Sequence, residues 1–255
     1  MTYYLRALSV EHLKLKRTLT IWMVLIAPFV VNLMYFLTYL EYGQTHHEYD
    51  PEAWLTFGRS VLTMWTVMML PLYITLQSAL LGNSEHANQQ WKHLFALPLP
   101  RWSYFAAKWT LLFELILISS IFTFGFTIVS GWCTQQVYPT MGLTLDAIPW
   151  FLLLGMSAKA FLAAILMFSI HTFISLRWQS IIVSIGSGMV AVVCSLFVVR
   201  SDTWGTLYPW TLPFMTFAMD KPADTPLMQI MLISLVGGLI VALFGMWDMT
   251  KRQIV

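Results

Sequence analysis

The sequence predicts an all-α integral membrane protein with six membrane-spanning helices. Of its 255 residues, 58% are hydrophobic and only 10% are charged, whereas soluble domains contain about 25% charged residues. The chain also contains six separate stretches of roughly 20 mainly apolar residues, the length that a helix needs to cross the hydrocarbon core of a bilayer. A soluble protein of this size would lack the charges to cover its surface, so lipid is the expected surrounding of most of the chain.

The apolar stretches predict the position of each span. The six predicted spans are Ile21 to Leu40, Val61 to Gly82, Trp109 to Trp132, Ile148 to Leu176, Ser180 to Val199 and Pro226 to Trp247. Pro28 and Asn32 in the first span, and Pro71 in the second, predict kinks at which freed backbone groups need other hydrogen-bond partners. The fourth stretch is about 43 Å long as a helix, so it must tilt, bend or protrude from a core of about 30 Å.

The distribution of basic residues predicts that both termini are cytoplasmic. An even number of spans places the two termini on one side, and cytoplasmic loops are rich in Lys and Arg. With a cytoplasmic N-terminus, the basic residues inside are Arg6, Lys14, Lys16, Arg17, Lys92, Arg101, Lys108, Arg177, Lys251 and Arg252, and those outside are Arg59, Arg200 and Lys221. The net charge of +2 is too small to indicate a nucleic-acid partner.

Residues 1–20, before the first span, predict a helix that lies flat in the cytoplasmic membrane interface. The apolar residues on one face are Tyr4, Leu5, Leu8 and Leu15, and the charged residues expected to be exposed elsewhere are Arg6, Glu11, Lys14, Lys16 and Arg17. Such a helix places its apolar side in lipid and its cations near anionic headgroups. A disordered basic tail is the alternative.

A second amphipathic helix is predicted at 83–100, in the cytoplasmic segment between spans two and three. Asn83 or Ser84 can cap its start, and Pro98 and Pro100 end it. Ala87, Trp91, Leu94 and Phe95 recur on one face, and the other face carries Glu85, Asn88, Gln89, Lys92 and His93. The helix therefore offers a half-polar surface to a partner, unless its apolar face lies in the membrane interface.

Three ionisable residues lie within predicted spans, where such residues are functional candidates by default. Glu114 and His171 lie at similar depths near the cytoplasmic side, so a hydrogen bond between them is expected. Lys159 lies about 18 Å above His171, where it either lines a substrate path or extends outwards to the external surface.

Small residues form a stripe along the fifth predicted span. They are Ser180, Ser184, Gly188, Ala191 and Ser195, at spacings of three or four. Such a stripe allows close helix packing or provides a smooth wall for a substrate; Ser234, Gly238 and Ala242 repeat the pattern in the sixth span.

The external segment at 200–225 is aromatic, apolar and interrupted by prolines. It predicts short helices that dip into the outer half of the membrane, because so apolar a segment is unfavourable in water. The candidate residues of an external gate are Tyr208, Pro209, Trp210 and Pro213. An aromatic belt that anchors the last two spans is the alternative.

Two other kinds of chemistry receive little support from the sequence. The stretch "THHEYD" contains His46, His47, Glu48 and Asp50, but adjacent histidines point in different directions and no second ligand cluster follows, so no metal site is predicted. Cys133 and Cys194 are the only cysteines and are far apart, so no disulfide framework is predicted.

These features together resemble the ABC-2-type permeases, especially the bacitracin- and lantibiotic-exporter branch. The segment "EHANQQWKHLFALPLPRWSYFAAKW" is similar to their cytoplasmic loop, and the matching residues are Glu85, Trp91, Leu94, Leu97, Pro98 and Lys108. The segment "YPWTLPF", Tyr208 to Phe214, is similar to the last external segment of that branch. The layout of a basic N-terminal helix and six spans covers the whole chain.

The resemblance implies a type V ABC exporter-like fold, with an elbow helix at 1–20, a coupling helix at 83–100 and re-entrant helices at 200–225. The implied ATPase-coupling residues are Glu85, His86, Gln89, Trp91, Lys92, Leu94 and Phe95. Substrate-path candidates are Glu114, Lys159, Ser180, Ser184, Gly188 and Ser195. The chain contains no G-x-x-x-x-G-K-[ST] motif, so ATP and Mg²⁺ would be bound by a separate ATPase and no cofactor by this chain.

The implied complex lies in a bacterial cytoplasmic membrane and contains two copies of the ATPase and a second permease, identical or paralogous. Its expected cargo is amphiphilic, such as an antimicrobial peptide, a drug or a lipid-like molecule. Two other classes remain open from the residues: an ion-coupled secondary transporter, and an intramembrane enzyme that uses Glu114 and His171. No internal repeat of three plus three spans supports the former.

Overall fold

A computed structural model describes residues 2–16, 18–42, 50–87, 100–201, 203–218 and 227–251. In this part of the chain all regular secondary structure is helical. The α-helices are α1 (Thr2–Leu15), α2 (Leu19–Tyr42), α3 (Ala53–Met64), α4 (Leu70–Ala87), α5 (Arg101–Val137), α6 (Trp150–Ala163), α7 (Ile165–Arg177), α8 (Ile181–Val198), α9 (Leu212–Ala218) and α10 (Leu227–Lys251). A π-helical turn, Trp65–Met69, joins α3 to α4.

Six helical segments are long and apolar enough to cross a membrane, which confirms the predicted number of spans. Helices α2, α5, α8 and α10 each form one span. The second span combines α3 and α4, and the fourth combines α6 and α7. One end of the bundle, here called the terminal end, contains the starts of α2, α5 and α8 and the ends of α4, α7 and α10. The other end is called the distal end.

The second and third spans begin eight residues before their predicted starts, at Ala53 and Arg101. The prediction missed these turns because they are less apolar than the centres of the spans. Tertiary packing stabilises them instead. At the distal end, for example, Trp54 is buried and its indole N–H donates to the Thr144 carbonyl over 2.8 Å.

The fourth span is broken, as its excess length allowed. The break lies at Ala164, between α6 and α7, and a serine of α10 satisfies the backbone groups there. Ser234 Oγ donates to the Leu162 carbonyl over 2.9 Å and accepts from the Leu166 amide over 3.3 Å. The small residues of the sixth span thus serve helix packing at this point.

One of the predicted proline sites has a compensating contact. Pro28 cannot donate to the Val24 carbonyl, and Ser119 Oγ of α5 donates to that carbonyl over 3.2 Å instead. This contact supplies the backbone rescue that a proline inside a span requires. Pro71 lies in the first turn of α4, directly after the π-helical turn.

Helix α1 packs against α5, and its buried face differs from the prediction. Tyr4, Leu8 and Leu15 face the bundle as expected from their spacing, but Leu5 is 51% exposed. Glu11 was expected to be exposed and is 3% exposed. That expectation was wrong because it treated α1 as a helix against lipid alone, whereas α5 supplies a cation for the carboxylate.

The start of the predicted coupling helix is also corrected. Asn83 and Ser84 do not begin a new helix, because α4 continues through them to Ala87. Ser84 Oγ donates to the Leu81 carbonyl of its own helix over 2.8 Å. Residues 88–99, the rest of that prediction, lie outside the described residues.

Candidate functional site

The predicted ATPase-coupling residues lie at or beyond the end of α4. The backbone of Glu85 and His86 belongs to α4, but their side chains are outside the described part of the structure. Wholly outside it are Gln89, Trp91, Lys92, Leu94 and Phe95. What the structure does describe is the helical framework from which this segment leaves and to which it returns at Arg101.

That framework contains a buried charged contact, here called the elbow junction, formed by Glu11 of α1, the Leu81 carbonyl of α4 and Lys108 of α5. Lys108 Nζ donates to Glu11 Oε2 over 2.7 Å and to the Leu81 carbonyl over 3.2 Å. Lys108 is 2% exposed and Glu11 is 3% exposed. Lys14, which is half-buried, donates to the other carboxylate oxygen over 2.8 Å.

Glu11 remains charged in this environment. Burial by itself raises the pKa of its carboxyl group. The nearby cations Lys108 and Lys14 lower the pKa through their charges and hydrogen bonds, and the net result is a pKa below the ordinary value of 4.5. A lowered carboxylate pKa stabilises the folded state at pH values above the ordinary pKa. This contribution is lost as the pH falls through the folded-state pKa.

The contribution of Glu11 to the docking of α1 is therefore expected to be independent of pH from about 8 down to about 5 and to weaken only under stronger acid. A spin label at Leu13, which is 61% exposed on α1, would report the loss as increased mobility. The matched variant Glu11→Gln should show higher mobility at neutral pH and lose the acid transition. An acid transition that persists unchanged in Glu11→Gln would contradict this assignment.

A second polar contact between α1 and α5 corrects the expected Glu114–His171 pair. Glu114 Oε2 lies 2.6 Å from His12 Nε2, and His12 Nδ1 lies 2.9 Å from the Leu8 carbonyl oxygen. Because both ring nitrogens face acceptors, both contacts are hydrogen bonds only when the His12–Glu114 pair holds an additional proton. The prediction failed because it considered the spans alone and did not place α1 beside α5.

His171 instead contacts α4 and the segment after α8. Trp210 Nε1 donates to His171 Nε2 over 3.2 Å, and Thr75 Oγ1 lies 3.3 Å from the same nitrogen. Since an indole N–H can only donate, Nε2 is the acceptor and the proton of the neutral ring is on Nδ1. His171 is fully buried, and Nδ1 has no hydrogen-bond partner among the described residues.

The segment that contains the gate candidates turns back into the bundle. Tyr208 Oη donates to the Ala191 carbonyl over 3.0 Å, seven residues or about 10 Å before the end of α8. Its ring packs on that of Trp210, with centroids 5.2 Å apart. Pro209 is half-buried, and Pro213 is buried in the first turn of α9. Tyr208 and Trp210 thus contact α8 and α7, and the role of the four residues in a gate stays a prediction.

Replacing Trp210 by phenylalanine is expected to lower the free energy of unfolding by about 1–3 kcal/mol, because His171 Nε2 then loses the indole donor while it stays buried. Equilibrium unfolding in mixed micelles would measure the change. Trp204, which is 66% exposed in the same segment, provides the matched control, and Trp204→Phe should change stability by less than about 0.5 kcal/mol. Equal effects of the two substitutions would contradict the importance of the Trp210–His171 bond.

The small-residue stripe of the fifth span packs against α4 for most of its length. Ser184, Gly188 and Ser195 are buried, whereas Ser180, which precedes α8, is exposed. A Cβ atom at Gly188 would collide with the side chain of Thr75, so α4 and α8 approach closely there. The stripe therefore serves helix packing in this chain, and its role as a substrate wall stays a prediction.

Lys159 is half-buried on α6, and the structure shows no hydrogen bond or ion pair for it within the described ranges. Its Cα lies about 14 Å from the distal start of α6, and side chains on a helix lean towards that start. This direction favours extension of the ammonium group towards the distal surface.

An apolar groove lies between α5 and α6. It has a volume of about 380 Å³ and is lined by Leu117, Ser120, Ile121, Phe124, Leu154, Ser157, Ala158 and Phe161. A groove of this size and chemistry accommodates an apolar chain or ring.

No group of three or more His, Cys, Asp or Glu side chains that could hold a metal ion exists in the portion of the chain that is described.

The elbow junction is the feature that the sequence reasoning missed. Lys108 was counted only as a cytoplasmic charge and as part of a loop pattern. The signal for Glu11 was present: it is three residues from Leu8 and four from Leu15, so it belongs to the face that those residues bury. An acid on a buried helical face requires a basic partner.

Comparison with protein families agrees with this architecture. The family model described as ABC-2 family transporter protein matches residues 7–201, a range that includes the elbow junction and the first five spans. No curated protein and no solved structure gives a match. Because the family model covers well over half of the chain, this protein belongs to the ABC-2 family of transporter proteins and is a permease component of an ABC transporter.

Proposed function

We propose that this chain is the membrane-spanning subunit of an ATP-driven exporter, in which a separate ATPase subunit contacts residues 83–100. In this proposal the terminal end is cytoplasmic, ATP binding closes two ATPase copies, and the motion passes through residues 83–100 to α4 and α5. A second permease, identical or paralogous, completes the path in a bacterial cytoplasmic membrane.

The observation that carries the proposal is the family match. An ABC permease requires an ATP-binding partner, and this chain contains no phosphate-binding G-x-x-x-x-G-K-[ST] motif. The basic residues of the terminal end support its cytoplasmic orientation, and the amphipathic pattern of 83–100 supports contact with a partner at that end.

The apolar groove between α5 and α6 supports an amphiphilic cargo. Its lining consists mainly of apolar side chains together with the hydroxyl groups of Ser120 and Ser157. Such a lining suits a peptide, drug or lipid-like molecule that carries both apolar and polar groups. Export is the direction that the resemblance to the bacitracin and lantibiotic branch supports.

Co-purification tests the proposal. Tagged chain, solubilised in mild detergent from cells that contain the candidate ATPase, is expected to retain that ATPase. The double variant Glu85→Ala/Trp91→Ala is expected to retain much less, whereas the matched control Glu52→Ala/Trp204→Ala, with exposed residues of the distal end, should retain it fully. Equal retention by both variants would exclude coupling through 83–100, and absence of ATPase from the unchanged chain would exclude the wider proposal.

The cargo class has its own test. The purified complex, reconstituted in lipid vesicles, is expected to hydrolyse ATP faster when an amphiphilic peptide or drug is added. A panel of such compounds, with soluble sugars and free amino acids as controls, would reveal the preference. Stimulation by the soluble compounds alone would contradict an amphiphilic cargo.

A further inference from the structure

The end of α4 is held from two sides just before the chain enters residues 88–99. On one side, Lys108 donates to the Leu81 carbonyl, six residues before the last residue of α4. On the other side, Gly82 packs so closely on α7 that an added Cβ atom would lie 2.9 Å from the Ser175 carbonyl carbon. The last turns of α4 are therefore fixed to both α5 and α7.

Lys108 also fixes α1 to the same point. Its ammonium group bridges the Glu11 carboxylate and the Leu81 carbonyl, so a single buried cation links three helices that are far apart in sequence. Apolar residues of similar volume often stabilise a fold as well as a buried ion pair does, whereas the directional contacts of Lys108 fix the relative orientation of the groups that it joins. Transmission of a motion from one helix to the next requires such a fixed orientation.

We propose that Lys108 is a positioning residue for ATPase coupling: it holds the end of α4 against α1 and α5, so that displacement of residues 83–100 moves these helices together. The inference rests on the proposed function, since it requires a partner that displaces this segment. Glu11 is the counter-charge that places the ammonium group. Without Lys108, the end of α4 can move while α1 stays in place, and the displacement is no longer transmitted.

The experiment uses the complete complex of this chain with its ATPase in lipid nanodiscs. Amide hydrogen exchange of residues 201–211, which follow the distal end of α8 and contact α8 and α7 through Tyr208 and Trp210, is measured without nucleotide and with ATP plus vanadate. The difference between the two conditions is the transmitted response. The variants are Lys108→Met, Lys108→Arg, the exchanged pair Glu11→Lys/Lys108→Glu, and the control Lys14→Met, which removes the other cation near Glu11 but leaves the Leu81 contact.

Lys108→Met is expected to retain the ATPase and to hydrolyse ATP, while the response of 201–211 falls about fivefold or more, the lower end of a typical coupling between two sites. Lys108→Arg should keep most of the response, because it keeps the charge and its donors. The exchanged pair keeps an ion pair between α1 and α5 but places a carboxylate, which cannot donate, beside the Leu81 carbonyl, so its response should stay low. Lys14→Met should leave the response nearly unchanged.

An unchanged response in Lys108→Met would overturn the proposal, and so would a loss in Lys14→Met equal to that in Lys108→Met. If Lys108→Met does not fold, Lys108→Arg and the exchanged pair decide. With the fold retained, loss of the response in Lys108→Arg or a full response in the exchanged pair also overturns the proposal. Failure of the proposed function has a different result: the unchanged chain then retains no ATPase and shows no response to nucleotide.

Discussion

Lys108→Ala is expected to lower the free energy of unfolding by about 3–5 kcal/mol, because it leaves the Glu11 carboxylate buried without its principal counter-charge. The two groups are 2.7 Å apart and almost inaccessible to water, so solvent cannot replace the lost contact. Lys14 compensates only in part, since its side chain is 31% exposed. Thermal unfolding in detergent micelles would show the change as a lower midpoint, by about 2–4 °C for each kcal/mol.

The double variant Glu11→Gln/Lys108→Met distinguishes two causes of lower stability: loss of the ion pair itself, and a buried charge that is left without a partner. It removes both charges while keeping similar volumes, so its stability is expected to lie closer to that of the unchanged protein than to that of Lys108→Ala. Lys14→Ala should cost less than about 1 kcal/mol, because the ammonium group of Lys14 is partly exposed and Lys108 stays paired with Glu11. A double variant as unstable as Lys108→Ala would show that packing rather than charge accounts for the loss.

Gly82→Ala is expected to destabilise the protein by about 1–3 kcal/mol through overpacking. An added methyl group at this position would collide with the Ser175 carbonyl oxygen and lie 3.0 Å from Ser175 Cβ. Because the obstacle is backbone of α7, it cannot be relieved by rotating a side chain, and the two helices must separate. The same thermal unfolding experiment measures the effect on stability. Retention of the ATPase in the co-purification experiment is expected to decrease as well.

Three glycines provide matched controls for this prediction. Gly125, Gly155 and Gly186 lie within helices, and a Cβ atom at each would meet nothing within 4 Å. Alanine at these positions should be neutral or stabilising by up to about 1 kcal/mol, because it is the better helix former. Destabilisation by the control substitutions to the extent seen for Gly82→Ala would argue against close packing of α4 on α7 as the cause.

The span pattern was predictable because it depends on local composition. Backbone groups cannot stay unpaired in hydrocarbon, so an apolar stretch of about 20 residues has helix as its favourable structure. The prolines of the first two spans and the excess length of the fourth were equally readable, since each has a local consequence. The hydrogen-bond partners at these sites, such as Ser119 for the Val24 carbonyl, were not predictable, because they lie on other helices.

The pairing of polar side chains between helices could not be predicted from the sequence. Glu114 was assigned to His171 because the two share a depth, yet depth leaves open which helices are neighbours. The structure places Glu114 beside His12 of α1 and His171 beside Trp210. Similarly, Glu11 was assigned to the exposed surface although its spacing places it on the buried face of α1, and no local feature identifies Lys108, about a hundred positions later, as its partner.

The sequence by itself determined that lipid surrounds most of this protein and that it has six spans, because these properties are sums over nearby residues. Only the tertiary structure decided which polar groups meet: α1 against α5 through Glu11 and Lys108, and the segment after α8 against α7 through Trp210. The physical reason is that burying a charge or a hydrogen-bond donor is favourable only with a specific partner, and partners distant in the chain are chosen by helix packing.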